Sequence, residues 1–284
     1  MKPNVLEKLR ANPLVAEEDK QKFYRFYNIA NQVQFGKIAP RQEGYIKGDI
    51  KAPRCTSVLQ MDGSKAGALM EWAKRQVAGR IEQILVDKIR KGEPLTDTDI
   101  LVACQDGLMD PDKQKDEAAD AGTSEHDNIE NFLTGYEYEE TEGLQKFKEA
   151  WQKSGLTIIA TEIPIIWSSE DGRLAFGGRT DILAYNPAQR LFVLGDNKTS
   201  KSIHESYGCQ VSAYAEAIRQ MSHGDIQINS GVIFHIPDVN KLNDRQKKEY
   251  DKRGSLVYLK DLDDAFEHFK LLLGLYYRRN SKYF

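Results

Sequence analysis

FGGRTDILAYNPAQRLFVLGDNKTS, residues 176–200, decides how the chain is read. Apolar residues crowd Ile182–Tyr185 and Leu191–Leu194, and the intervening NPAQR is a turn signal. Two strand-forming runs joined by a turn predict an antiparallel hairpin. A symmetric hairpin centred on Ala188 and Gln189 sets Asp181 directly opposite Asp196. Opposed residues share a face, with Cβ atoms about 5 Å apart. Two carboxylates that close repel, so something positive must compensate them. A divalent ion of the magnesium type suits the pair, because hard cations take oxygen ligands. Lys198 lies two residues beyond Asp196 and therefore on the same face. Asn197 faces the other way, leaving its backbone carbonyl as a further oxygen donor. Gly177 and Gly178 permit close backbone approach just ahead of the acids.

Working outward, Leu156–Trp167 is rich in isoleucine and threonine and predicts a strand that carries Glu162. With Leu174–Tyr185, Leu191–Lys198, Gly231–Ile236 and Gly254–Leu259, it supplies the strands of a sheet. Ser206–Met221 reads as a helix, with Gln210 and Tyr214 one turn apart on one face. Asp261–Tyr277 closes as an amphipathic helix, with Asp261 or Asp263 as its cap. Upstream, 20–34, 65–91 and 142–153 have helical spacing. The charged stretch 111–122 lacks large apolar residues, and a helix is expected to begin near its end. That helix places His126, Ile129, Glu130 and Leu133 on one side and stops at Gly135. The turn-rich 36–53 predicts an irregular arm with short strands. The expected fold is α/β, a mixed central sheet flanked by helices in a single domain, 1–284. Within it, 1–52 forms an N-terminal arm and 53–155 a mainly helical subregion.

Composition narrows the class. The 284 residues are 40% hydrophobic and 29% charged, which are ordinary globular proportions. No apolar run reaches the ~18 residues of a membrane span, and MKPNVLEKLRANP lacks the apolar core of a secretory signal. Cys55, Cys104 and Cys209 are odd in number and widely spaced, which argues for reduced thiols in a cytoplasmic protein. The formal net charge of −3 lacks the basic excess of a nucleic-acid coat protein. Local basic clusters occur at Lys241, Arg245, Lys247 and Lys248, and at Arg278, Arg279 and Lys282. No GxxxxGK[ST] pattern is present, so no nucleotide cofactor is expected.

Four elements follow one another in order. They are His126 in GTSEH, Gly178–Asp181 as GxxD, Asp196–Lys198 as DxK, and Gln210 with Tyr214 in QVSAY. In this order they resemble the PD-(D/E)xK nuclease superfamily, in its RecB-like and phage-type exonuclease branch. Residues 53–73, PRCTSVLQMDGSKAGALMEWA, resemble the N-terminal segment of phage-type members, so the likeness spans roughly 53–215. The resemblance implies a restriction-endonuclease-like sheet and a metal-dependent DNA exonuclease with little sequence specificity. By it, His126, Asp181 and Asp196 would ligate magnesium, or manganese in its place, helped by the Asn197 carbonyl. Lys198 would be the catalytic lysine. Gln210 and Tyr214 would line the active site, and Glu162 would be a further acid beside it. The cysteines do not match the set that holds an iron–sulfur cluster in some relatives. The implied partners are DNA and a recombination or single-strand-binding protein, in the cytoplasm of a bacterial or phage-infected cell. A structure-selective or non-specific endonuclease is the competing enzyme. A DNA-binding or assembly module with a decayed site is the competing non-enzyme.

Overall fold

A computed structural model describes residues 4–63 and 66–280. Lys282 of the second basic cluster, and residue 65 at the expected start of the 65–91 helix, lie outside them. Chain contacts separate two compact units, one of residues 1–61 and 125–284 and one of 62–124.

The first unit begins with the stretch expected to hold a helix and then an arm with short strands; the helix and strands are present, and the strands form a regular sheet rather than an irregular arm. Helices α1 (Asn4–Ala11) and α2 (Glu17–Ala30) precede a three-stranded antiparallel meander. The meander consists of β1 (Gln34–Ala39), β2 (Gln42–Lys47) and β3 (Ile50–Pro53), followed by the short α3 (Cys55–Leu59). Leu9, Phe23, Phe26, Ala52 and Val58 are buried in the principal core. Tyr185 of the main sheet donates a hydrogen bond to Asp19 of α2 at 2.7 Å and ties the two together.

The second unit holds α4 (Ala66–Arg90) and most of α5 (Asp97–Thr134). Gly107 lies so close to α4 that an added Cβ would stand 2.6 Å from Ile81 Cγ1. Ion pairs Arg80–Asp106 and Lys88–Asp99 also join the two helices. Helix α5 corrects a second expectation, because it runs unbroken through 111–122 with Pro111 inside it. The charged stretch lacks an apolar stripe but is rich in Ala, Glu, Lys and Gln, all strong helix formers. From Glu125 onward α5 belongs to the first unit.

Helix α6 (Glu142–Ser154) is capped by the Thr141 hydroxyl and ends at Gly155 in the left-handed conformation. It leads into the main sheet, whose order is β4 (Thr157–Ser168), β5 (Ala175–Asn186), β6 (Leu191–Lys198), β7 (Ile228–His235) and β8 (Leu256–Leu259). Strands β4, β5 and β6 pair antiparallel. Helix α7 (Glu205–Met221) is the crossover that lets β7 lie parallel to β6, and β8 returns antiparallel after the capped α8 (Asp244–Arg253). The sheet is therefore mixed, as expected. Each face carries a core. Leu183, Tyr185 and Leu194 pack with α7 and with Phe269 and Leu273 of α9 (Leu262–Arg279). Ile182, Ala184 and Val193 pack with Ile129 of α5 and Leu144 and Phe147 of α6. Asp261 precedes α9 with left-handed backbone and makes no capping bond through its side chain. No helix among the described residues is long and apolar enough to cross a membrane.

Candidate active site

The hairpin register is the symmetric one. Ile182 pairs with Gly195, Leu183 with Leu194 and Asn186 with Leu191, so the next position brings Asp181 opposite Asp196. On the other side of β5, Thr161 pairs with Ile182 and Ile163 with Thr180, which sets Glu162 opposite Asp181. Three carboxylates thus occupy one row across β4, β5 and β6. Glu162 holds a left-handed backbone (φ 52°), a conformation that non-glycine residues adopt at a cost. The β5–β6 ladder ends at Ile182 and Gly195, and beyond it the Asn197 N–H donates to Asp181 Oδ2 at 2.9 Å. From α5, His126 approaches the same oxygen, with Nδ1 at 3.5 Å.

Asp196 is buried, and Lys198 Nζ lies 2.5 Å from its Oδ2. The Gln210 side-chain amide donates to Asp196 Oδ1 and to the Tyr214 hydroxyl, both at 3.3 Å. The one-turn spacing on α7 therefore aims both residues at the acid strand. Tyr214 reaches this place because Gly178 has no side chain; a Cβ there would stand 2.4 Å from the Tyr214 ring. Lys198 also packs its ammonium 5.0 Å from the centre of the Tyr207 ring. The buried Asn197 Oδ1 has no hydrogen-bond partner, and neither has Thr180 Oγ1.

Electrostatics mark the row as short of positive charge. Burial, followed by the charge of Asp181, pushes Glu162 up to about 7, against the pull of Arg179 Nη1 at 3.4 Å. Burial likewise raises Asp196, with Lys198 opposing and Asp181 reinforcing. Burial alone would lower the Lys198 ammonium, but Asp196 and Asp181 outweigh it, so the lysine holds its proton more tightly than usual. Among the described residues no three His, Cys, Asp or Glu side chains converge closely enough to hold a metal ion as they stand. The donor set still fits one. Hard carboxylate oxygens in a row, two of them held above their ordinary range for want of a counter-charge, are what a magnesium-type ion relieves.

An open cavity of about 450 Å³ gives access to the group. His126, Asp181, Lys198, Gln210 and Tyr214 line it; Asp196 is buried, and neither it nor Glu162 is part of the lining. Phe35, Tyr45, Arg54 and Arg179 also line it, and none of these had been singled out from the sequence. Arg179 was within reach of strand alternation, since it shares a face with Asp181. Glu130 lay on the His126 face of its helix and accepts a hydrogen bond from the Thr161 hydroxyl at 3.1 Å. Phe35 and Tyr45 come from the meander and carry no local signal, while Arg54 follows β3 in the segment 53–73 that had drawn notice only as a whole. Comparison with models of known protein families and with curated protein sequences yields no match to the chain.

Proposed function

We propose that the chain is a metal-dependent phosphodiesterase acting on DNA, with a restriction-endonuclease-like core of the PD-(D/E)xK type. The reading rests on one observation: Glu162, Asp181 and Asp196 form a row across three strands, with Lys198 on the last of them. Asp181, Asp196 and Glu162 would hold a divalent cation, with His126 and the Asn197 carbonyl as further donors. Such a cation, when bound, supplies positive charge at the scissile phosphate and at the attacking water. Lys198, whose charged form Asp196 and Asp181 favour, would set positive charge beside the phosphoryl oxygens or assist the attacking water. Gln210 acts through Asp196, holding its carboxylate from α7, and the Tyr214 hydroxyl accepts from the same Gln210 amide. Arg54 and Arg179 add positive charge at the cavity wall, where a phosphate backbone must pass.

An end-requiring exonuclease is the preferred form of this reading, carried by the family resemblance. The test is a time course on end-labelled linear, nicked and closed circular DNA, with magnesium, manganese or EDTA. Metal-dependent loss of the linear substrate with intact closed circles is expected. Cleavage of closed circles would make the enzyme an endonuclease, and no cleavage with either metal would overturn the reading.

A further inference from the structure

Phe35 is an apolar ring left 45% exposed on β1, at the wall of the cavity that Asp181 and Lys198 line. Its setting separates it from an ordinary surface aromatic. Buried Tyr45 of β2 braces it edge to face, with ring centres 5.4 Å apart. The Arg54 guanidinium lies 4.5 Å from the ring centre, and Glu43 fixes that guanidinium at 2.8 Å. Tyr45 is in turn pressed against β5, where a Cβ on Gly177 would stand 2.4 Å from it. The ring is therefore braced by buried Tyr45 beside Arg54 and Arg179, which line the same space and pair with Glu43 and Glu162.

A braced, half-exposed ring next to guanidinium groups suits a nucleobase with its phosphate better than it suits a phosphate alone. Within a strand a base offers its flat face only when unpaired, because a duplex hides all faces but those of its terminal pairs inside the stack. We propose that Phe35, braced by Tyr45 and flanked by Arg54, is a stacking platform for an unpaired base of the strand whose phosphate enters the acid–lysine site. The proposal rests on the nuclease reading for the role of that site, and it adds that the strand is held single. The platform reads aromatic faces and not base edges, so it carries no sequence preference.

The test is equilibrium binding in EDTA, where hydrolysis is blocked, by anisotropy of labelled oligonucleotides. The probes are a single-stranded oligothymidylate, an abasic oligonucleotide with the same number of phosphates, and a blunt duplex. The wild-type chain should bind the base-bearing strand about tenfold more tightly than the abasic one. Phe35→Ala should abolish that difference and leave abasic binding unchanged, while Phe35→Trp should retain it. Equal affinity for the two strands, or an equal loss on both in Phe35→Ala, overturns the platform. A preference for the blunt duplex that depends on Phe35 overturns the assignment to an unpaired base. Cleavage by the wild type separates the two readings. Hydrolysis with no role for Phe35 removes the platform alone, and Phe35-dependent binding without hydrolysis in either metal removes the nuclease reading alone.

Discussion

Glu162 stands beside Asp181, where the resemblance implied a further acid, but an acid on a strand would ordinarily face water and stay ionised. Burial and the Asp181 charge instead push it up to about 7 from a carboxyl reference of 4.5. Between those values the folded chain keeps a proton that the unfolded chain has released. Stability must therefore fall as pH rises through that window. Glu162→Gln cannot lose the proton, so in EDTA its melting temperature should match the wild type near pH 4 and exceed it increasingly towards pH 7. The gain will be modest, because about a third of the side chain (35%) remains in water. A difference that does not change with pH would show that the carboxyl is not held protonated. Asp181, Asp196 and Lys198 were legible in the sequence because strand alternation and one turn signal suffice to align them. The left-handed turn of the backbone at Glu162 was not, since it answers to pairing with β5 and to no local preference.

At the scale of elements, β5 and α7 depend on each other through glycine. Gly178 leaves the space that the Tyr214 ring fills, and Tyr214 shares its hydroxyl with Gln210, which holds Asp196. Gly178→Ala should push the ring aside, lower stability by about 1–3 kcal/mol as overpacking does, and weaken cleavage beyond what the lost stability explains. Denaturant melts and a cleavage assay on the same preparation check both, and unchanged values would mean that the ring is free to move. The strands and α7 were readable because they carry a period of two or of 3.6. The continuity of α5 was not, because a helix that is polar on every side has no stripe to detect. The meander was expected only as short strands in an irregular arm, and its regular pairing was hidden for a different reason. Its short strands are held by pairing with one another and by burial of residues such as Tyr45 and Ala52 in the principal core, which no local window contains.

For the whole molecule, a formal net charge of −3 offers no general attraction to a polyanion. Under the proposed function, affinity for nucleic acid would draw on Arg54, Arg179 and Lys198 around one cavity. The same cavity unites residues from Phe35 to Tyr214, and so the site is a product of the fold and not of one motif. Lys198 is a poor probe of it, since removing the lysine leaves the buried Asp196 charge unpaired at a cost of about 3–5 kcal/mol. Asp181→Asn is cleaner, because an amide oxygen can still accept the Asn197 N–H. The direct measurement is release of acid-soluble nucleotides from linear DNA by wild type and Asp181→Asn, with matched melting curves, in magnesium and in EDTA. Release by the wild type in magnesium only, reduced at least about a hundredfold in the variant, is the predicted result. Equal release by the two proteins, or release in EDTA, would contradict a metal-dependent site built on Asp181.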